Sequence, residues 1–575
     1  MRKKSRLPFK LANLAGLLLL LEGGIAWSDV LPGAAMPEQV SRSLSEEQPV
    51  ATASAPPPVI AEKEKQKSPL GEAAQKIKFH LNGVVLVGNH VYPTSQLEPI
   101  YKDKIHKEIT VAQLFDVVQD ITNYYRNNGY IVSRAVLPPQ HVKNGIVKIQ
   151  IVEGFIDKVT VGGDPRGAKC MVLVFGKRIH SCPPLQISRM EKYLLLANEI
   201  PGTDVKAVLS PSKTETGAAD LTLMTRNSPI TGYFSYDDYG TRYIGPQQMT
   251  GNFSLNSFFN SGDAGNVTMT KTPKGGELTY LDINYSTPLT DEGTRILVGG
   301  TRTHTHPLFV LRPSQIDGQT DNYYTTVSYP MRRSRTESLS LRSGFNYLDS
   351  SVTTHGFKLY TDHIRSLDFG LTYNFADRFY GANLISTDLR QGIPLFGYST
   401  DTNPDTAETS RPGGRADYTK IVLQLSRLQA IKGPVSLYFA FNGQWAFNPL
   451  LASEQFTFGG SQLGRGYDVA ELIGDKGTAG TLELRYDLGV NKFYIQSMQL
   501  YAYYDAGVIW NMKTSAGSPD RLSGTAAGFG SRFYMNKYIS GNIMWTQVLT
   551  KKIAAEALIH QGTRPRVFFS VVASC

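Results

Sequence analysis

Residues 229–575 consist of stretches of about ten residues in which apolar and polar side chains alternate, separated by turn residues, and few folds accept that pattern. The clearest stretch is Met498–Trp510. Met498, Leu500, Ala502, Tyr504, Ala506, Val508 and Trp510 occupy one register; Gln499, Tyr501, Tyr503, Asp505 and Gly507 occupy the other. Side chains alternate faces along a strand, so one face suits lipid and the other water. The next stretch repeats the logic, with Leu482, Leu484, Tyr486 and Leu488 opposed to Thr481, Glu483, Arg485 and Asp487. Two such strands alone would equally fit a soluble sandwich with its apolar face inward. The number of strands, together with 30 Tyr, 26 Phe and 53 Gly, decides for a barrel with aromatic girdles. No apolar run reaches the roughly eighteen residues of a membrane helix. Lipid tolerates no open sheet edge, so the sheet must close. The expected fold class is membrane β: an antiparallel transmembrane β-barrel of about sixteen strands, preceded by two small α/β domains.

The N-terminus has the layout of a secretory signal over residues 1–28. Arg2, Lys3, Lys4 and Arg6 precede an apolar core from Leu11 to Leu21, and Ala26-Trp27-Ser28 offers small residues for cleavage before Asp29. The net charge of +10 (59 minus 49) is spread between strands rather than clustered, which argues against nucleic acid as a partner. Cys170, Cys182 and Cys575 fit an exported chain. Cys170 and Cys182 enclose a short loop that an oxidising compartment would bridge if they are close. Free thiols, or a zinc site with His180, stay open as alternatives; the zinc ligand set is incomplete, and no metal or other cofactor is expected.

Residues 29–77 read as a polar leader. Val40 and Leu44 lie four apart within Pro37–Gln48 and predict a short helix there, while Ala51–Pro58 and Glu62–Lys67 have linker composition. Residues 78–153 predict a first α/β module. Phe79–Val87 alternates as one strand. Thr110 and Gln113 form a capping box for a helix carrying Val111, Leu114, Phe115, Val118, Ile121 and Tyr125, with Gly129 as its stop. Strands are expected at Tyr130–Leu137 and Gly145–Val152. Residues 154–228 repeat the order, with a strand at Phe155–Val161, a helix at Leu185–Ala197, and strands at Val205–Leu209 and Ala219–Met224. In the barrel, short connections such as Pro273-Lys274-Gly275-Gly276 are expected to alternate with longer polar ones, among them Asp401–Arg415 and Asn448–Thr478.

The segment 448–478 carries the chemistry. Phe458-Gly459-Gly460-Ser461-Gln462-Leu463-Gly464-Arg465-Gly466-Tyr467 resembles the inward-folded extracellular loop of two-partner secretion outer-membrane transporters, the hemolysin activation/secretion (TpsB-type) family. Its mark is Arg465, Gly466 and Tyr467. Tyr503-Tyr504-Asp505-Ala506-Gly507 resembles the aromatic-x-Asp-x-Gly motif of the same family. Leu137-Pro138-Pro139-Gln140, Ile151-Val152-Glu153-Gly154, Glu191–Leu196 with Pro201-Gly202, and Tyr236-Asp237-Asp238-Tyr239-Gly240 complete the resemblance, which covers nearly all of the mature chain. Two positions depart from the pattern. Gly464 stands where a branched apolar residue is usual, and the C-terminal residue is Cys575 rather than Phe. Phe568 and Phe569 lie upstream, so a short tail is expected after the last strand.

The resemblance implies that the two modules are POTRA domains in the periplasm below a bacterial outer-membrane barrel; the strand parse puts the polar insert Asp401–Arg415 on the long-loop side, outside. It implies a large secreted partner protein with an N-terminal secretion domain, bound unfolded through a POTRA region that includes Pro138, Pro139, Gln140, Glu153 and Gly154. Outer-membrane lipid and the barrel-insertion machinery are the other implied partners. The helix at Pro37–Gln48 would plug the resting pore. The residues support the loop assignment independently. Asp505 and Glu483 fall on water-facing registers, and Arg465 can grip a carboxylate with two parallel hydrogen bonds. The anchor is therefore expected to comprise Arg465, Gly466, Tyr467, Asp505, Glu483 and Gly507. A barrel insertase of the same superfamily is the alternative. A diffusion porin would lack the modules, and no nucleophile elbow, zinc-helix motif or phosphate loop points to an enzyme. His304 and His306, two apart on one strand face, read as polar residues at a strand end. Asp237 and Asp238 point to opposite faces and do not make a carboxylate pair.

Overall fold

The computed structural model describes residues 31–46, 73–181, 183–215, 217–400, 408–490, 494–512, 520–550 and 564–575. The expected signal, most of the linker, and Cys182 lie outside these residues. The C-terminal part closes into an antiparallel barrel of sixteen strands. They are β1 Ile230–Asp237, β2 Gln248–Asn256, β3 Ala264–Lys271, β4 Leu278–Pro288, β5 Arg295–Thr305, β6 Ile316–Arg333, β7 Glu337–Thr354 and β8 Phe357–Ala376. The second half continues with β9 Gly381–Gly392, β10 Thr419–Lys432, β11 Val435–Ala446, β12 Lys476–Leu488, β13 Ser497–Trp510, β14 Arg521–Tyr534, β15 Ile539–Val548 and β16 Arg566–Ser574. Alternation sets the faces as the sequence predicts. On β12 and β13, Leu482, Leu484, Tyr486, Leu500 and Tyr504 are exposed on the outer surface. Thr481, Glu483, Tyr501, Tyr503 and Asp505, in the opposite register, are buried inside.

The barrel closes by pairing β16 with β1 over five residues, Ser570–Ser574 against Asp237–Tyr233. Cys575 extends this seam, donating its backbone N–H to Gly232 O at 2.9 Å. The residues after Phe568 and Phe569, expected as a short tail, continue β16 through Ser574. Phe568 and Phe569 lie in the first half of β16, and Ser570–Ser574 pair with β1. A second correction concerns loop sides. Strands alternate in direction, so the short turn 272–277 lies at the same end of the barrel as the long connections 393–418 and 447–475, not at the opposite end.

Below the other end sit the two α/β modules. In the first, the Thr110 capping box forms as expected: Gln113 N–H donates to Thr110 Oγ1 at 3.2 Å and Thr110 N–H to Gln113 Oε1 at 2.9 Å. The helix Val111–Asn127 then buries Leu114, Val118, Ile121 and Tyr125 against the sheet. The single strand expected at Phe79–Val87 breaks at Asn82. Lys78–Leu81 pairs with Lys107–Thr110, whereas Gly83–Val87 pairs in parallel with Ile146–Val152. The strand expected at Tyr130–Leu137 shortens to Arg134–Val136. In the second module the helix Lys169–His180, which the sequence reading does not assign, packs beside Ile187–Asn198 on a three-stranded sheet. This module grips the barrel turns with charge. Arg178 pairs with Asp291 at 2.6 Å, Lys192 with Glu292 at 2.6 Å, Arg335 with Glu191 at 3.4 Å, and Arg333 with Glu199.

The leader helix runs Pro37–Glu46 and lies inside the barrel. Val40 and Leu44 pack on Ile244, Leu278 and Tyr280. Gln39 donates to the Ala452 carbonyl, and Arg42 to the Gln455 carbonyl at 2.9 Å, both on the connection 447–475. Pro37 rests on Gly318, where any side chain would collide with its ring. Glu38 is 2 % exposed and accepts hydrogen bonds from Ser350 Oγ at 2.9 Å and Tyr360 OH at 3.0 Å. Burial first, and then the Asp362 carboxylate, push Glu38 up to about 7. A carboxyl whose pKa is raised in the seated helix binds its proton more tightly there. Seating is therefore favoured below the ordinary carboxylate value and weakens as pH rises through about 7. Conductance in planar bilayers should accordingly rise from about pH 5 to about pH 8, and Glu38→Gln should flatten the profile. An unchanged profile in Glu38→Gln would remove Glu38 as its source.

Candidate functional site: the inward-folded loop

Residues 447–475 connect β11 to β12 and fold back into the lumen. Their stem is a short hairpin, Phe456–Phe458 paired with Leu472–Gly474. Phe458 is fully buried, and its ring packs against Gly507 on β13 and Gly524 on β14. A Cβ at Gly507 would stand 2.4 Å from that ring, which explains why the Asp-x-Gly end of the motif must be glycine. Gly464 has φ +74°, and a Cβ there would come within 2.9 Å of Gly459 N and the Phe458 ring. A branched residue is strained in that left-handed conformation. The departure from the family pattern at this position is thus tied to the tight turn made here.

The turn delivers Arg465, 5 % exposed, to the lumenal faces of β12 and β13. Its Nε donates to Asp505 Oδ2 at 3.0 Å and Nη2 to Asp505 Oδ1 at 2.8 Å, a bidentate pair. Nη1 donates to Glu483 Oε2 at 2.8 Å and Nη2 also to Thr481 Oγ1 at 2.7 Å. The Arg465 backbone N–H adds a third contact to Asp505 at 3.0 Å. The guanidinium stacks 3.4 Å from the Tyr503 ring centroid. Gly466 has φ +101° and passes so close to Thr546 on β15 that a Cβ would lie 2.8 Å from its hydroxyl oxygen. Tyr467 then crosses to β14, donating its hydroxyl to Thr525 O at 3.0 Å and accepting from Thr525 N–H at 3.1 Å.

Arg465, Gly466, Tyr467, Asp505, Glu483 and Gly507 therefore meet in one place. Residues that the sequence reading did not name surround them. Arg485 and Arg532 each donate to Glu483 at 2.7 Å, so that carboxylate holds three guanidinium groups. Asp468, the residue after Tyr467, pairs with Arg242 at 2.7 Å and Arg566 at 3.0 Å. Arg242 follows β1 and Arg566 begins β16, so this carboxylate bridges the barrel seam from inside. At the root of the loop, Glu454 pairs with Lys420 at 2.7 Å and Arg390 at 3.3 Å. Burial alone would raise its pKa, but these two cations hold it down to about 2. The signal available in sequence was weak: the partners are single charges on separate strands.

Of the candidate partner-binding residues of the first module, Pro139 is exposed and Gln140, Glu153 and Gly154 make hydrogen bonds within the module. Gln140 pairs with the backbone of Lys148 at 2.7 and 2.8 Å, closing the end of its own sheet beside Pro138 and Pro139. Glu153 accepts from Val91 N–H at 2.7 Å and Tyr125 OH at 2.9 Å, and Gly154 N–H donates to Ser133 Oγ at 3.0 Å. Cys170 is an exposed free thiol, and Cys182 lies outside the described residues. Half-buried His304 and His306 lie 3.2 and 3.8 Å from Asp317. No cluster of three or more potential metal ligands occurs among the described residues. Asp237 and Asp238 accept different backbone N–H groups, from Tyr239 and Phe569.

Arg465→Ala should free the loop while leaving the barrel inserted. Removing one partner of a desolvated pair costs about 3–5 kcal/mol. The loop should become cleavable by added protease. Arg465→Lys should fare little better, because one ammonium cannot reproduce the bidentate contact. Wild-type protease resistance in Arg465→Ala would contradict the anchor.

The comparisons with known proteins follow this geometry. The family model for the haemolysin secretion/activation protein ShlB/FhaC/HecB matches residues 218–531, and the ShlB-type POTRA domain matches residues 79–154. The heme/hemopexin transporter protein HuxB of Haemophilus influenzae (strain 86-028NP) is 24% identical over 76% of this chain and 80% of its own length. The outer membrane transporter CdiB of Dickeya dadantii is 24% identical over 73% of this chain and 74% of its own. Among solved structures, CdiB from Escherichia coli aligns with a TM-score of 0.70 at 19% identity, covering 95% of this chain and 99% of that one. With the barrel, the modules beneath it and the Arg-Gly-Tyr loop inside it, the chain belongs to the haemolysin secretion/activation family, the outer-membrane transporters of two-partner secretion.

Proposed function

We propose that this transporter exports one large partner protein, received unfolded in the periplasm by the POTRA modules and passed through the barrel after the lumenal helix withdraws. The observation that supports this best is the filled lumen. The helix Pro37–Glu46 and a loop pinned by ions occupy the lumen of a sixteen-stranded barrel, above two modules. A pore for diffusing solutes has no use for a plug helix. The charged lumenal groups at the loop, Arg465, Arg485 and Arg532 with Glu483 and Asp505, hold one another, which suits an anchor in a transport channel. The leader residues 29–77 act as plug and tether, and Arg465 with Asp505 and Glu483 acts as the loop anchor.

The modules recognise the partner by strand addition. Gly83–Val87 is an edge strand of the first module's sheet, and Val85 and Val87 are exposed there, 49 % and 39 %. An unpaired edge with apolar side chains accepts an extended chain through backbone hydrogen bonds. Pro138, Pro139, Gln140, Glu153 and Gly154 would serve by holding the module in shape. No nucleotide-binding motif supplies energy, so folding of the partner at the cell surface drives export.

Deleting the gene should remove one large protein from the culture medium, and restoring the wild-type gene should return it. Replacing Val85 and Val87 together by Lys should weaken partner binding to the purified protein at least tenfold, with normal barrel levels in the membrane. Unaltered binding by this double variant would exclude that edge. An unchanged set of secreted proteins after deletion would exclude the export reading.

A further inference from the structure

The lumen has two unlike walls. β7–β16 carry the ions: Arg390, Lys420, Glu483, Arg485, Asp505 and Arg532 all lie on lumenal registers there. The lumenal registers of β1–β6 are neutral apart from Asp237, Asp282 and, at the periplasmic rim, Arg295 and Arg333. They carry amides and hydroxyls, which bond to one another across the strands. Asn252 donates to Thr268 at 2.9 Å, Ser254 to Asn266 at 2.6 Å, and Asn266 to Asn284 at 2.9 Å.

This wall is also where the helix sits. Val40 and Leu44 cover Leu278 and Tyr280 of β4, and Pro37 covers Gly318 of β6 beside Thr305. On β5, between those strands, the hydroxyls of Thr301, Thr303 and Thr305 have no hydrogen-bond partner among the described residues. All three residues are at most 5 % exposed. The Asn322 side-chain oxygen, opposite Thr301 on β6, is likewise unpaired. Leaving buried polar groups unsatisfied is unfavourable, so this row is better suited to another occupant than to the helix. A cavity of about 750 Å³ runs along the same wall. It starts at Ser45 near the helix end and is lined by Asn252, Asn266, Asn284 and Tyr324.

Resting on the export reading, we infer that the lumenal face of β1–β6 is the surface along which the unfolded polypeptide slides, and that the helix is the cover it displaces. An extended chain presents a peptide N–H and C=O at every residue, and neutral amides and hydroxyls exchange partners with them readily. Hydrogen bonds to charged groups are about twice as strong and would stall segments of opposite charge. Passage needs contacts favourable enough for entry and weak enough for release. The ion-rich wall, already committed to holding the loop, is the stationary side.

The test uses the full chain in cells, with the secreted protein that disappears on gene deletion as the probe. Asn266→Lys with Asn284→Lys should cut its secretion at least tenfold. Gln424→Lys with Ser426→Lys, on lumenal registers of β10, should change secretion less than twofold. Asn266→Ser with Asn284→Ser should retain secretion, because neutral hydrogen bonding is kept. Barrel levels are measured in each strain. p-Benzoylphenylalanine at position 284 should photocrosslink to the probe during export, and at position 424 it should not. Equal sensitivity and equal crosslinking at the two walls would overturn the assignment of the wall while leaving export intact. Disappearance of no secreted protein on gene deletion would overturn the export reading, and this inference with it.

Discussion

A guanidinium withdrawn from water has to be answered on several sides, and Arg465 is answered on all of them. Asp505 takes two of its parallel N–H groups, Glu483 and Thr481 take others, and Tyr503 covers its face. A pair of this kind is a poor source of net stability, because desolvating the charges offsets much of their attraction. It is a good source of position. A loop of almost thirty residues has many ways to lie inside a wide barrel, and this contact selects one of them. The rest of the lumen is arranged around that choice. Phe458 fills the space beside Gly507, Tyr467 reaches β14, and Asp468 touches both sides of the seam.

The helix depends on the loop in turn. Gln39 and Arg42 donate to backbone carbonyls of the loop, and Glu38 reaches Ser350 and Tyr360 on the opposite side. Ten residues of this composition are too few to hold a helix in water, so the lumen supplies its stability. The module end is held differently. The ion pairs between the second module and the barrel turns are part-exposed, at 24–46% of side-chain area for Arg178, Asp291, Lys192 and Glu292, and such pairs are individually weak. The contrast between a tightly held loop and a loosely held module suits a machine that must admit cargo from below without losing its internal frame.

The barrel was legible because its constraint is periodic: a residue every second position must face lipid, and no local context overrides that rule. The anchor was legible because a motif placed Arg465 and Asp505 together. What escaped was non-periodic or distant. Phe79–Val87 alternates without interruption, yet Asn82 splits it, because its two halves pair with different strands. Lys169–His180 contains Met171-Val172-Leu173-Val174-Phe175, a run that reads as a buried strand as readily as a helix. Arg242 and Arg566 could not be linked to Asp468 in advance, since 226 and 98 residues separate them from it. The closing register of β16 likewise depends on β1, more than 300 residues upstream, and not on where its phenylalanines fall.

The central claim is that cargo uses the space the lumenal helix occupies in the resting protein. A disulfide between Pro37→Cys and Gly318→Cys, in a background with Cys170, Cys182 and Cys575 replaced by serine, tests it most directly. A Cβ at position 318 would stand 2.9 Å from the Pro37 ring, which puts the two positions within the reach of a disulfide. Under oxidising conditions the locked protein should stand in the outer membrane at normal levels and secrete nothing, and a reductant should restore secretion. Normal secretion by the oxidised, demonstrably crosslinked protein would mean that cargo does not pass through the lumen the helix fills.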